Sequence, residues 1–343
     1  MTPDTRLLGT AQRLGSNALH WLHRAHQAGH GSLPPDTTID LSDPDTAYKP
    51  LGESALAASL VLRDGVAGAR DLAAAGELIE FCWHQLQSGN LLYERQLRFP
   101  NLTDPLETYA SFARSGYRHR QLDELLGSLT RLRATHAAEL VPNRRLAVAN
   151  ARRVIGLDHR PDWAALAAAT WLGATPEPWA IDWSTGYDLT HTVFHLTDWG
   201  ARPDGLPAPL RSYLRDWLPV WADIWLEVGQ WDLVGELLIV DSCTGEPVCG
   251  LDPWERLASA QHPDGLTPGT PSRSTRTRRG PSRTTSTRRW SRRSPGRSPW
   301  PGPSAPRRWL RDAQRRRCGA RRTGRRRAGR DRRHTGHRLR RGQ

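Results

Sequence analysis

The chain has 343 residues, 49 Lys plus Arg, 35 Asp plus Glu and a formal net charge of +14. That charge is unevenly spread: residues 261–343 hold 27 arginines against Asp264, Asp312 and Asp331, a formal +24, which leaves residues 1–260 at −10. No apolar run is long enough to span a bilayer, and Met1-Thr2-Pro3-Asp4 does not lead from a basic stretch into an apolar one, so the expectation is a cytoplasmic protein with no membrane span.

Residues 1–260 are long enough for one large domain with a sizeable core. Leu7, Ala11, Leu14, Ala18, Leu22 and Ala25 recur at three- and four-residue steps and predict a first helix ending near Gly29. His20, His23, His26 and His30 lie off that stripe and read as a solvated face. Pro34, Pro35 and Pro44, among several Asp, Ser and Thr residues, make 31–50 a long irregular loop. Helical patterning then covers Glu53–Arg63, Arg70–Gln87, the stretch from Thr103-Asp104-Pro105 to Ser115, and Arg120–Leu140. Further segments follow: Pro142 to Ile155, Pro161–Leu172, Tyr187–Trp199, Pro207–Val228, Trp231–Val240 and one from Pro253.

Strand-like alternation is nearly absent, so the fold class is all-α: an array of antiparallel helical hairpins, curved into an α/α toroid or stacked as an open layer. Nine of the twelve tryptophans in residues 1–260 fall between Trp163 and Trp231. Trp217, Trp221 and Trp225, four apart on one helix, read as inter-helix packing before they read as a ligand platform. Cys82, Cys243, Cys249 and Cys318 are too few and too irregular for a disulfide scaffold. The spacing of Cys243 and Cys249 is not that of a zinc knuckle, so both read as ordinary thiols.

After residue 266 the chain lacks Val, Ile, Phe, Tyr and Met and cannot offset the entropy of ordering, so 1–266 is expected to be a truncated helical domain and 267–343 a disordered Arg-rich tail. A genuine tail would bind nucleic acid or an anionic surface through its arginines. A displaced reading frame in a GC-rich gene explains the composition better, because Lys49 is the only lysine before the tail. The run Arg289-Trp290-Ser291-Arg292-Arg293-Ser294-Pro295-Gly296, shifted by two bases, permits Leu-Val-Ala-Ala-Phe-Ala.

The sharpest chemistry-bearing segment is Tyr187-Asp188-Leu189-Thr190-His191-Thr192-Val193-Phe194-His195-Leu196-Thr197-Asp198-Trp199-Gly200. At about 100° per residue, Asp188, His191, His195 and Asp198 share one arc while Leu189, Val193 and Leu196 face away. Gly200 is placed to end the helix. The arc can be a solvated face, a purely structural buried network, a His191/Asp198 acid/base pair, or a divalent-metal site with His191 and His195 as ligands. Asp188, His195, His262 and Asp264 are the candidate binding residues. The last two lie in Gln261-His262-Pro263-Asp264-Gly265, which also reads as a plain helix-ending turn. There is no H-E-x-x-H, no phosphate-binding glycine loop and no G-x-S-x-G elbow.

The segment from Leu189 to Gly200, with Gln261-His262-Pro263-Asp264-Gly265 downstream, resembles an uncharacterised actinobacterial all-helical family, a domain of unknown function. Its pattern is T-H-x-x-F-Y-L-T-D-[FW]-G, then Q-H-x-D-G, then D-x-H-S-T-L. The resemblance covers residues 1–266. It carries no activity, and a Tyr at the place of His195 favours His191 with Asp198 over a two-histidine metal site. The D-x-H-S-T-L segment is missing here, although the displaced frame across 283–288 permits Asp-Asp-x-His-Ser-Thr. Two function classes remain: an accessory or binding protein whose polar, Trp-flanked pocket holds a small molecule or peptide, and a toroid-like enzyme using His191 and Asp198.

Overall fold

The computed structural model describes residues 3–34, 37, 48–158 and 160–268, which hold thirteen α-helices and four 3-10 turns joined by loops, and no strand occurs among them. The fold is all-α. Most of the Arg-rich tail, much of the 31–50 loop and Cys318 lie outside the described residues.

The first half comprises α1 (Pro3–Gln27), α2 (Lys49–Asp64), α3 (Ala69–Gln85), α4 (Asn90–Arg98), α5 (Asp104–Arg114), α6 (Arg120–Thr130) and α7 (Arg133–His136). The second comprises α8 (Pro142–Ile155), α9 (Trp163–Ala168), α10 (Trp183–Thr197), α11 (Ala208–Val228), α12 (Trp231–Cys243) and α13 (Leu251–Ala260). Short connections put sequential helices side by side, as in α2 with α3 and α11 with α12. Gly65, at φ +63°, ends α2 in the left-handed conformation that glycine adopts without penalty.

Two hydrophobic cores form. Leu51, Leu78, Ile79, Tyr109, Phe112 and Leu122 centre the first. Leu189, Val193, Phe194, Leu214, Trp221 and Leu237 centre the second. Helix α8 serves both, giving Val148, Ala151 and Ile155 to the first and Leu146 to the second. Helix contacts run from α1 to α3, α2, α5, α8, α10, α12 and α13 and back to α1, a closed cycle within this unit.

Several sequence expectations shift. The His20, His23 and His26 side of α1 is a buried seam and not a solvated face. His20 Nε2 lies 2.8 Å from Asp71 and His23 Nε2 2.7 Å from Glu77, both on α3. His26 is buried, with Nε2 2.9 Å from Ser54 Oγ on α2. Only His30 of the four stays exposed. The seam exists because α1 packs against α3 as well as α13, so more than one stripe of its surface is covered. Helix α4 had no sequence assignment. The expected 120–140 helix breaks after Thr130, whose carbonyl is met by the His136 ring at 2.9 Å instead of by a further turn. The Trp217, Trp221 and Trp225 stripe packs on the second core, and Trp221 donates from Nε1 to the Pro178 carbonyl at 2.9 Å. Cys82, Cys243 and Cys249 are buried free thiols whose pKa values are raised by burial, to about 12 for Cys82 and about 11 for Cys243.

The Gln261–Gly265 loop closes the helix cycle onto α1. Gln261 Nε2 donates to the Leu14 carbonyl at 3.1 Å and its Oε1 accepts from Asn17 at 3.1 Å, while Arg24 donates to the Asp264 carbonyl at 2.5 Å. Gly265 sits at φ +98°, and a Cβ there would come within 2.1 Å of the Asn17 carbonyl oxygen. Gly265→Ala is therefore expected to lower unfolding free energy by roughly 2 kcal/mol or more, measured by urea denaturation. An unchanged midpoint would show that this loop does not clamp α1.

Candidate functional site

Helix α10 begins earlier than the sequence suggested because Asp182 and Thr185 form a reciprocal capping box. The Thr185 amide donates to Asp182 Oδ1 at 2.8 Å and the Asp182 amide donates to Thr185 Oγ1 at 2.8 Å. It also ends earlier, at Thr197. Asp198, Trp199 and Gly200 follow at φ +49°, +56° and +83°, three consecutive residues in the left-handed region. For Asp this is tolerated; for Trp it is unfavourable and must be held by its surroundings. Trp199 is held by stacking on Phe194, with ring centroids 4.0 Å apart and planes 13° apart.

Asp198 is held by charge. Its Oδ1 accepts from Arg114 Nη2 at 2.6 Å and from Asn150 Nδ2 at 3.2 Å, and its Oδ2 lies 2.9 Å from Arg153 Nη2. Arg63 donates to the Asp198 and Trp199 carbonyls at 2.8 and 3.1 Å. Burial alone would raise the Asp198 pKa; Arg114 and Arg153, with the Asn150 hydrogen bond, outweigh it and hold the carboxyl below its ordinary value. The left-handed turn takes Asp198 off the helical register that grouped it with His191, and the structure does not pair the two. Asp198 instead ties α10 to α2, α5 and α8.

The remainder of the predicted arc lies one to three turns earlier on α10. Asp188 accepts from Asn143 Nδ2 at 3.1 Å. His191 and His195 stand 6.2 Å apart by ring centroid. Half of the His191 side-chain surface is open to solvent, yet desolvation is the largest cause lowering its pKa, followed by the charge of Arg144. Burial, aided by His191 and Arg144, pushes His195 down to about 3, so its ring is neutral at physiological pH.

The partner that α10 does meet was not legible in the sequence. Glu236 on α12 places Oε2 4.0 Å from His191 Nε2 and accepts from Thr190 Oγ1 at 2.5 Å. Burial, then the charges of Asp232 and Glu53, push its pKa up to about 7 against the Thr190 hydrogen bond. Tyr187 donates its hydroxyl to Asp232, and the Tyr187 and His191 rings meet edge to face at 6.4 Å. Next to Tyr187 an open cleft of about 330 Å³ is lined by Trp183, Tyr187, Gln230 and Leu233.

Charge around this site is one-sided. Asp188, Asp232 and Glu236 make no ion pair with Lys or Arg among the described residues; their partners are Asn143, Tyr187, Thr190 and the neutral-leaning His191. The cations whose charge reaches His191 are already engaged, Arg144 with Glu107 at 2.5 Å and Lys49 with Glu53 at 3.9 Å. As for a metal, no three His, Cys, Asp or Glu side chains among the described residues stand close enough to share one ion, and Asp198 is taken by guanidinium groups. The residues present do not complete a three-ligand site. His262 and Asp264 are exposed, and the polar contacts of their loop go to α1 and to the loop itself, not to α10.

A family model described as a domain of unknown function, DUF6895, matches residues 15–293. The match starts later and runs further than the 1–266 span over which the sequence resemblance was drawn. No curated protein and no solved structure matches the chain.

Two outcomes follow from the electrostatics. Asp198→Ala leaves the buried guanidinium of Arg114 and that of Arg153 without their carboxylate and is expected to lose about 3–5 kcal/mol of stability by urea denaturation at pH 7. In the wild type that contribution is full above the unfolded-state carboxyl value of 3.8 and disappears as the pH falls through the lower folded value. Glu236 has the opposite sign: its raised pKa means that stability is full below the unfolded value of 4.5 and declines as the pH rises to about 7. Glu236→Gln should therefore gain about 1–3 kcal/mol over the wild type at pH 8 and nothing at pH 4. A pH-independent difference between the two proteins would show that Glu236 is not desolvated.

Proposed function

Because the chain belongs to DUF6895, a family whose function its sequence model leaves open, we propose a function from the site alone: a cytoplasmic accessory or binding protein that holds a small amine, or the amino group of a peptide, in the α10/α12 cleft. The observation that carries this reading is the set of three carboxylates, Asp188, Asp232 and Glu236, with no cationic partner beside the aromatic walls Trp183 and Tyr187. Carboxylates without a cationic partner, Asp188 and Asp232 exposed and Glu236 part-buried, favour a positive guest beside the cleft, and aromatic faces add a cation–π contribution. The closed cycle of helix contacts supports placing this cleft at the mouth of a toroid-like array. Among the described residues no helix is long and apolar enough to cross a membrane, which fits the expected location.

Saturation-transfer NMR with phenethylamine and its carboxylate counterpart 3-phenylpropionate tests the charge preference. The amine should saturate and the carboxylate should not. Glu236→Gln or Asp232→Asn should weaken the amine by about tenfold, as expected for a lost hydrogen bond to a charged group. Affinity should rise as the pH passes about 7 and Glu236 ionises. Equal binding of amine and carboxylate would refute the proposal.

A second reading is favoured by one observation, the 4.0 Å approach of Glu236 to His191 with the glutamate pKa near 7. Such a pair, pushed from its ordinary values in opposite directions, suits general acid/base catalysis, with Glu236 taking the place that the sequence gave to Asp198. Following the His191 ring by NMR from pH 4 to 9 separates the readings. A step near pH 7 in the His191 signals that vanishes in Glu236→Gln supports the coupled pair; a single unaltered histidine titration removes it.

The actinobacterial origin and the displaced frame of the tail also stand as proposals. The tail's poverty in apolar residues and the apolar translation of the shifted 289–296 codons support displacement; the family match to residue 293 is what it must accommodate. The intact mass of the natural protein decides between the frames, and a mass agreeing with the present sequence would turn attention to nucleic-acid binding by the tail.

A further inference from the structure

The side of α10 that carries His191 and His195 has a different helix on each flank. On one flank is α8, where Asn143 donates to the Asp188 carbonyl at 2.9 Å and to its carboxylate at 3.1 Å, and accepts from Thr192 Oγ1 at 2.9 Å. On the other is α12, through Asp232 with Tyr187 and Glu236 with Thr190. At about 100° per residue, Asp188, Thr192 and His195 turn toward the α8 flank, Tyr187 and Thr190 toward the α12 flank, and His191 stands between them. Arg144 follows Asn143 in the first turn of α8. Its side chain is half exposed; Nη1 reaches Glu107 Oε2 on α5 at 2.5 Å, and its Nε and Nη2 make no hydrogen bond with a described residue. The Arg144 charge lowers the pKa of both His191 and His195, so pairing with Glu107 leaves a positive field at the two rings.

Both flanks keep hydrogen-bonding capacity of opposite sign. Glu236 accepts one hydroxyl, lies 4.0 Å from His191 Nε2 and has no Lys or Arg partner among the described residues. Opposite it, Nε and Nη2 of Arg144 form the one edge of the guanidinium that presents two parallel N–H donors and is left free by Glu107, the geometry that matches a carboxylate. A simple amine would use only the α12 flank, and a simple carboxylate would be repelled by the acids there. We infer that the guest of this site is a zwitterion, an amino acid whose amine meets Glu236 and whose carboxylate meets the free edge of Arg144, its chain crossing His191. The inference rests on the amine reading of the α10/α12 cleft and narrows it to a substrate class. Since α8 and α12 contact opposite flanks of α10, and a helix with its side chains is about 10 Å across, charges several bonds apart suit the span better than the adjacent charges of an α-amino acid.

The test is ligand-observed NMR on the full chain, with phenethylamine as the reporter and 4-aminobutyrate, n-propylamine and butyrate as competitors at matched ionic strength. The first two competitors differ only by the carboxylate. 4-Aminobutyrate is expected to bind about tenfold tighter than n-propylamine, as for one hydrogen bond gained between charged groups, and butyrate should not compete. Arg144→Gln should bring the ratio of the two affinities to about one. Phenethylamine binding with a ratio already near one in the wild type would overturn the inference and leave the amine reading standing, whereas absence of phenethylamine binding would remove both. A ratio that stays near ten in a folded Arg144→Gln variant would also overturn it. The wild-type ratio decides the matter even where the variant does not fold.

Discussion

The carboxylate of Asp198 is the constraint on which the arrangement of the second half depends. Helix α10 must leave its register at Thr197 to deliver that carboxylate, through two non-glycine residues at positive φ, into the gap between Arg114 and Arg153. Arg63 adds hydrogen bonds to the two carbonyls of the same turn, so α2 holds the strained backbone while α5 and α8 hold the charge. Since α2 and α5 belong to the first hydrophobic core, α10 to the second and α8 to both, one acidic side chain joins the two cores. Apolar burial gives each core its cohesion but little orientation. The directional contacts at Asp198 set how α10 enters.

That commitment shapes the candidate site. With Asp198 occupied by arginines, the carboxylate that stands nearest His191 across the helix pair is Glu236 on α12, next to the Asp232 that binds Tyr187. Gly186 allows this close approach: a Cβ there would stand 3.0 Å from a Leu233 methyl. The two helices thus bring Tyr187, Thr190 and His191 against Asp232 and Glu236 with little intervening bulk, and Glu236 loses water without gaining a cation while Asp232 stays exposed.

The sequence revealed the helices and half of the site, and the reasons are specific. Asp188, His191 and His195 fell on one arc because helical periodicity alone places them there, and Leu189 and Val193 are buried on the opposite side as that periodicity requires. Asp198 was misplaced in register because a left-handed Asp-Trp pair has no local signature; what stabilises it comes from Arg63, Arg114 and Arg153, between 45 and 135 residues earlier in the chain. Glu236 was missed because Trp231–Val240 reads as an apolar helix, in which one glutamate looks like a solvent-facing position. The α1 histidines were read as solvated since their partners Asp71, Glu77 and Ser54 lie on other helices. Gln261 and Gly265 carry the loop's role, which is steric and backbone-directed, whereas attention went to His262 and Asp264 for their chemistry.

The acidic residues of α12 show how a structural carboxylate differs from one available for binding. Asp241, 2% exposed, accepts the Val248 amide on one oxygen and the Cys249 amide on the other, each at 2.9 Å, and so closes the turn after the helix. Asp198, likewise buried, has both oxygens taken. Glu236 lies one and a half turns before Asp241 on the same helix, in similarly apolar company, but the described residues offer it one hydroxyl and a histidine at 4.0 Å. From Asp241 at 2% exposed to Glu236 with a 28% exposed side chain, the number of satisfied lone pairs separates the two roles: a carboxylate whose oxygens are all engaged has nothing left for a ligand. By that criterion Asp241 and Asp198 belong to the scaffold, and Glu236 is the part-buried acid on α12 that keeps unspent capacity.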